Sequence, residues 1–138
     1  MNNRTFAIIK PDAVKNKHTG LIYDEILKSN FKILSSKLIK MTKKQAENFY
    51  LIYKERPFYH ELTSFMSSGQ CMVLALEKDN AVSEWRTLIG ATNPDEAEEG
   101  TIRKKFATSL GENAVHGSDS DENALIEIKF FFTETELI

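Results

Sequence analysis

Short apolar stretches of strand length constrain the fold of this chain more than any other feature. Two of them, Thr5–Lys10 and Cys71–Leu76, are nearly continuous and are predicted to be buried strands, the second in a central position. The first is predicted to stop at Pro11, because proline cannot donate a hydrogen bond to a sheet. Phe31–Lys40, with imperfect alternation, and Asn113–His116, with a weaker pattern, are predicted to supply two more strands.

Helical periodicity and capping residues separate these strands. Helices are predicted over Leu21–Lys28 and Phe58–Ser68, and a capping box at Thr42–Gln45 predicts the start of another. Further helices are predicted to begin at Asp79, Thr101 and Ser120. The helix predicted to begin at Asp79 has an apolar face made of Val82, Trp85 and Ile89. The helix predicted to begin at Ser120 has one made of Ala124, Leu125, Ile128, Phe131 and Phe132. Strands and helices mixed without strict βα alternation favour an α+β fold, one antiparallel sheet with helices packed on it.

The chain length and the composition indicate one domain over residues 1–138 that is stable without cross-links. A chain of 138 residues can bury about two-thirds of its unfolded surface. The single cysteine, Cys71, excludes an intramolecular disulfide and is predicted to be an inert core thiol. No apolar run approaches the ~18 residues of a membrane span, and the N-terminal one is too short for a signal peptide. We therefore expect a cytoplasmic protein that does not bind membranes.

The charge is unevenly distributed along the chain. Residues 1–69 have 12 Lys+Arg against 6 Asp+Glu, a balance of +6, whereas residues 70–138 have 6 against 14, a balance of −8. The lysines of the basic half are spread evenly, which favours a solvated surface over a nucleic-acid footprint. In the acidic half, Arg86 and Arg103 stand among carboxylates, and each is either a phosphate ligand or a surface ion pair.

No glycine-rich phosphate loop is present, so any nucleotide phosphates must be held by side chains. His116 precedes Gly-Ser-Asp-Ser, and Gly117 is expected to let the backbone turn sharply beside it. An imidazole is largely neutral at pH 7 and can act as a nucleophile when a partner orients its other nitrogen. Glu127, eleven residues later, is a candidate partner, and the alternative is a partly exposed turn histidine.

For the other candidates, too, the local sequence allows either a functional or a purely structural role. Lys10 either points into a cleft at the end of its strand or is a surface lysine, and Tyr50 and Phe58 have the pattern of core residues. His18 and His60 are predicted to lie on the surface, since neither has a partner pattern.

Five segments of the sequence together resemble nucleoside diphosphate kinases. They are Thr5–Val14, Arg56–Phe58, Gly90–Pro94, Gly100–Arg103 and Asn113–Ser120. The resemblance extends from Arg4 to Phe132 in family order and spacing, and the N-x-x-H-G-S-D-S stretch is highly specific. It implies a ferredoxin-like α+β domain with a four-stranded antiparallel sheet. It also implies transfer of the γ-phosphoryl group of a nucleoside triphosphate to a nucleoside diphosphate, by a ping-pong reaction that maintains nucleoside triphosphate pools.

The resemblance assigns roles to individual residues. His116 matches the phosphorylated histidine, Glu127 the carboxylate on its other ring nitrogen, and Ser118 a residue that supports this pair. Residues near the sugar hydroxyls and the transferred group are matched by Lys10, Tyr50 and Asn113. The phosphate ligands are matched by Arg86, Thr92 and Arg103, and the base site by Phe58, which stacks on the base, and Leu62. Mg²⁺ is implied as cofactor, held mainly by the phosphates of ATP and related nucleotides with no protein ligand assigned.

Base selectivity is expected to be weak, because stacking tolerates every base and no acidic or amide side chain is assigned to a base edge. The departures from the family pattern concern assembly. Hexameric members tend to have proline where this chain has Glu99, and a longer tail than one that stops at Ile138. Both features resemble the shorter bacterial forms, so we expect a homotetramer, with a hexamer as the alternative. Gln70 and Asp121 also depart from common family residues but fall on no assigned position.

Overall fold

The computed structural model describes residues 3–138, and its sheet has four antiparallel strands in the order β2-β3-β1-β4. The strands are β1 (Arg4–Ile9), β2 (Lys32–Lys40), β3 (Gln70–Glu77) and β4 (Val115–Gly117). In the centre, β1 pairs with β3 and with β4, where Ile8 lies opposite His116. Helices pack on this sheet, so the expected ferredoxin-like α+β fold is confirmed.

Seven helices connect the strands in the described part of the chain. They are α1 (Pro11–Lys15), α2 (Thr19–Lys28), α3 (Lys43–Phe49), α4 (Tyr59–Met66), α5 (Ala81–Ile89), α6 (Ile102–Phe106) and α7 (Asp121–Phe131). Short 3-10 turns lie at Leu51–Tyr53 and Glu134–Glu136. The predicted capping box forms, since the Gln45 N–H donates to Thr42 Oγ1 at 3.0 Å and the Thr42 N–H donates to Gln45 Oε1 at 2.9 Å. Within residues 3–138, none of the helices is both long and apolar enough to cross a membrane.

The sheet separates two apolar layers, and β1 contributes to both. Ala7 and Ile9 face a layer that includes Trp85, whereas Phe6 and Ile8 face the other. All four residues are buried, which explains why the strand reads as a continuous apolar run rather than as an alternating one.

Some predicted details are wrong. The cap of α5 is Asn80 rather than Asp79, because Asn80 takes the left-handed backbone conformation (φ 55°) directly before the helix. Leu125 is 41% exposed, so the buried face of α7 is narrower than predicted. The fourth strand is Val115–Gly117 instead of Asn113–His116, because the backbone turns at Ala114 (φ 72°). His18 is partly buried, with its ring against Phe106.

Candidate active site

His116 lies on the edge strand β4, with its side chain 16% exposed. The Trp85 indole N–H donates to the His116 carbonyl at 3.1 Å and fixes the backbone there. A Cβ on Gly117 would lie 2.8 Å from Trp85 Cδ1, so glycine is required for this close packing. The expectation that Gly117 serves a sharp turn is wrong, since the left-handed residue of this region is Ala114.

Glu127 reaches the histidine, as the resemblance implies. Its Oε1 lies 2.9 Å from His116 Nε2, and the Ser118 hydroxyl donates to the same oxygen at 2.7 Å. Ser118 is itself held by the backbone of Phe6, whose N–H donates to Ser118 Oγ at 3.3 Å. An ionised carboxylate only accepts hydrogen bonds, so this contact places a proton on Nε2 and leaves the lone pair on Nδ1.

Aromatic rings surround the imidazole. The ring centroids of Phe6, Phe49 and Tyr50 lie 6.0, 5.6 and 6.3 Å from that of His116, all in edge-on arrangements. The Tyr50 hydroxyl is buried and has no hydrogen-bond partner among the described residues. Burial, with a smaller effect of Glu127, raises the pKa of Tyr50, so the hydroxyl stays protonated and can donate to a bound group. Phe49, the last residue of α3, is a neighbour of the imidazole to which the sequence analysis gave no role.

Lys10 is buried, which excludes the surface alternative. Its ammonium donates to Asn113 Oδ1 at 2.9 Å. Burial first, and then the charge of Arg103, lower the pKa of Lys10 to about 8, while Asp12 acts in the opposite direction.

Asp12 also lies in the site, although the sequence analysis assigned it no role of its own. Its Oδ2 accepts from the Ala114 N–H at 3.0 Å, and the Lys10 N–H donates to the Ala114 carbonyl at 2.8 Å. A further bond from the Val115 N–H to the Asn113 carbonyl closes a three-residue turn around Ala114. Because a positive φ is unfavourable for alanine, these contacts hold a strained turn directly before His116.

Arg103 is buried and does not form the surface ion pair that was the alternative. Its guanidinium donates to the carbonyls of Asn113, Gly90 and Val115 at 3.3, 3.0 and 2.8 Å. Burial, and then the charge of Arg86, lower the pKa of Arg103 to about 10, so it remains a cation near neutral pH. A cleft of about 430 Å³ brings together Arg86, Arg103 and Thr92, and its lining also includes Glu96 and Glu98.

Phe58 is 46% exposed, so its interpretation as a core residue is wrong. It caps α4, and its ring lies 5.5 Å from that of Tyr53, which stacks at 6.3 Å on Tyr50. A chain of rings thus connects the exposed Phe58 to the surroundings of His116. Leu62, one turn further along α4, is partly buried.

Comparison with known proteins points to one family. A family model described as nucleoside diphosphate kinase matches residues 3–137. The chain is 60% identical over 134 residues to the nucleoside diphosphate kinase of Flavobacterium psychrophilum, covering 97% of this chain and 96% of that protein. It is 56% identical over 135 residues to the enzyme of Geotalea uraniireducens, covering 98% of each.

Solved structures give the same result. The Aquifex aeolicus nucleoside diphosphate kinase superposes with a TM-score of 0.97 at 40% identity, with 99% of each chain covered. The Halobacterium salinarum enzyme in complex with CDP superposes with a TM-score of 0.94 at 32% identity, covering 100% of this chain and 92% of that one.

Proposed function

We propose, from the premise that the chain belongs to the nucleoside diphosphate kinase family, that it works through a phosphohistidine on His116. Family membership makes it a phosphotransferase that acts on nucleotides. The observation that carries the finer proposal is the 2.9 Å contact between Nε2 and Glu127, which leaves Nδ1 as the nucleophile.

In the first half-reaction, the Nδ1 lone pair attacks the γ-phosphorus of a nucleoside triphosphate. The bond from that phosphorus to the bridging oxygen breaks, and its electron pair leaves with the nucleoside diphosphate. The phosphoimidazole keeps the Nε2 proton, and the Glu127 carboxylate balances the positive charge that develops on the ring. In the second half-reaction, a terminal phosphate oxygen of an acceptor diphosphate attacks the phosphorus, the bond from Nδ1 to that phosphorus breaks, and its electron pair returns to Nδ1 to restore the neutral imidazole.

The cations of the cleft support this chemistry, because phosphoryl transfer depends on positioning and charge stabilisation. We assign phosphate binding to Arg86, Thr92 and Arg103. Asn113 and Lys10 are assigned to the transferred group and the sugar hydroxyls. Tyr50 is assigned to the same groups, because its buried hydroxyl has no hydrogen-bond partner among the described residues.

Mg²⁺ is the proposed cofactor. No cluster of three or more His, Cys, Asp or Glu side chains suited to a metal lies within residues 3–138. The cleft residues assigned to phosphate are cationic or neutral, which fits a metal that enters bound to the phosphates of the nucleotide. When bound, the ion would neutralise phosphate charge, and Arg86 and Arg103 would do the same from the protein.

The exposed ring of Phe58, together with Leu62, is proposed as the stacking surface for the base. Stacking accepts any base, so kcat/KM for the common nucleoside diphosphates is expected to agree within about tenfold. A homotetramer remains the proposed assembly and a hexamer the alternative, which sedimentation velocity would distinguish. Maintenance of nucleoside triphosphate pools is the proposed role, and the cytoplasm is the proposed location.

The test is the intact mass of the protein after incubation with ATP and Mg²⁺ without an acceptor. We expect a gain of one phosphoryl group that GDP discharges. The gain should be absent in His116→Ala and present in His60→Ala, a control at an exposed histidine. A folded wild-type protein that binds ATP but gains no mass would overturn the proposed mechanism.

A further inference from the structure

Lys37, on the edge strand β2, makes a three-part contact with the end of α7. Its ammonium donates to the Phe131 carbonyl at 2.7 Å and lies 2.8 Å from Glu136 Oε2. The same ammonium lies 5.0 Å from the ring centroid of Phe132. Lys37 is therefore bound to the final residue of α7, to the residue after it and to the turn that follows.

This contact fixes the C-terminal end of α7. Phe131 is the last residue of the helix, so its carbonyl accepts no hydrogen bond from within the helix. A lysine at this position satisfies the carbonyl and interacts favourably with the helix dipole. Glu136 also accepts from the Thr133 N–H at 2.8 Å, which ties the following turn to the same ammonium.

The fixed end of α7 lies one turn from the residue that orients the histidine. Glu127 precedes Phe131 by four residues on the helix, so a shift of that end moves the carboxylate. Phe131 also stacks on Phe6 with ring centroids 5.6 Å apart and planes within 2°. Phe6 in turn contacts the His116 ring and bonds to Ser118.

We propose that Lys37 is a positioning residue for phosphoryl transfer. It holds α7 where Glu127 reaches His116 Nε2, and so maintains the tautomer in which Nδ1 is the nucleophile. This inference rests on the proposed function, because it assigns Lys37 a task in the phosphorylation of His116.

The chain contains a matched control for this contact. Lys78 donates to the Ser29 carbonyl at the end of α2 at 2.9 Å and pairs with Glu84 at 3.1 Å. It also lies 5.0 Å from the ring centroid of Phe31. The kinds of contact are those of Lys37, a carbonyl at a helix end, a carboxylate and a ring, but the helix end that Lys78 holds, that of α2, carries none of the proposed site residues.

The experiment compares Lys37→Met, Lys37→Arg and Lys78→Met. Single-turnover mixing with ATP and Mg²⁺ measures phosphohistidine formation, titration measures ATP affinity, and ¹⁵N NMR of the imidazole measures the tautomer. For Lys37→Met we expect phosphorylation to slow about tenfold, less than the roughly hundredfold cost of a 1 Å misplacement. The ATP affinity should change less than about twofold, and the Nε2-protonated fraction should fall. Lys37→Arg should recover most of the rate, and Lys78→Met should phosphorylate like wild type.

An unchanged rate and tautomer in Lys37→Met would overturn the inference. An equal loss in Lys78→Met would also overturn it, because that result reports general destabilisation. If Lys37→Met does not fold, Glu136→Gln is the variant to test, because it weakens the ion pair with Lys37 but keeps the lysine. A phosphorylation rate equal to that of wild type in Glu136→Gln would then refute the positioning role of Lys37. The wild-type reaction separates the two proposals: absence of phosphohistidine there contradicts the proposed function, whereas normal wild-type chemistry with unaffected variants contradicts only the role of Lys37.

Discussion

Raising the pH from 7 to 9 should weaken nucleotide binding, because Lys10 loses its proton in this range. Burial lowers the pKa of this lysine to about 8, and the Arg103 charge adds to the effect. The ammonium lies in the site, bonded to Asn113 at 2.9 Å, where phosphate oxygens are proposed to bind. Only the protonated form attracts a phosphate, so affinity should follow the protonated fraction.

The size of the effect follows from the pKa. A group of pKa 8 is about 90% protonated at pH 7 and about 10% protonated at pH 9. Bound phosphate restores the charged form, so the Kd for a non-hydrolysable ATP analogue with Mg²⁺ should rise about tenfold between these pH values. At pH 9, binding should take up about 0.9 proton per site, since nearly every bound molecule must be reprotonated.

Calorimetric titration with a non-hydrolysable ATP analogue and Mg²⁺, in buffers of different ionisation enthalpy, measures both quantities. Lys10→Met should bind weakly at each pH without proton uptake, whereas Lys15→Met, at an exposed position, should behave as wild type. A Kd that stays constant from pH 7 to 9, with no proton uptake, would refute the proposed contact between Lys10 and phosphate.

The same shift affects folding with the opposite sign. The folded pKa of Lys10 lies below its ordinary value of 10.5, so the unfolded chain binds more protons between about pH 8 and 10.5. The free energy of unfolding of wild type should therefore increase relative to Lys10→Met by about 3 kcal/mol across this window, as measured by urea denaturation.

Three further predictions concern the surroundings of the site. Gly117→Ala should lower the free energy of unfolding by about 1–3 kcal/mol in urea titrations, because its Cβ would lie 2.8 Å from Trp85; a change near zero would contradict this packing. Ser118→Ala should slow phosphoryl transfer about tenfold in stopped-flow assays through loss of its bond to the site carboxylate, and an unchanged rate would count against that bond. The lysine partner of Glu136 lowers its pKa to about 2, so its stabilisation is present above about pH 4.5 and lost as pH falls toward 2. Calorimetry should show the Tm of Glu136→Gln below that of wild type at pH 7 and equal to it at pH 2, and a gap that persists at pH 2 would refute the ion pair.

Features set by neighbours in the sequence could be predicted. The capping box at Thr42 and the cap at Ser120 depend on residues within one turn, and both form. The buried run of β1 was recognisable because a strand covered on both faces has no polar alternation. The five-residue helix α1 was missed, since it is too short to show a helical period.

Long-range contacts could not be predicted in the same way. The bond from Asp12 to Ala114 joins residues 102 apart, and that from Lys37 to Phe131 joins residues 94 apart. Nothing in the local pattern separates Lys37 or Asp12 from a solvated residue. The contact between His116 and Glu127 was open for the same reason, because a spacing of eleven residues across a strand and a helix fixes no distance.

The proposed way of binding phosphate requires this site to bury positive charges. A glycine-rich loop would supply backbone N–H groups, which carry no charge to bury. This site uses side-chain cations instead, and Lys10 and Arg103 are buried there, which lowers both pKa values. Arg103 offsets its burial with three bonds to backbone carbonyls, and two of those carbonyls, of Asn113 and Val115, flank Ala114, where the backbone is strained. The residues proposed to bind the substrate thus also hold the turn that precedes His116, so substitution at Arg103 should lower both nucleotide affinity and stability, whereas substitution at the exposed Arg86 should lower affinity alone.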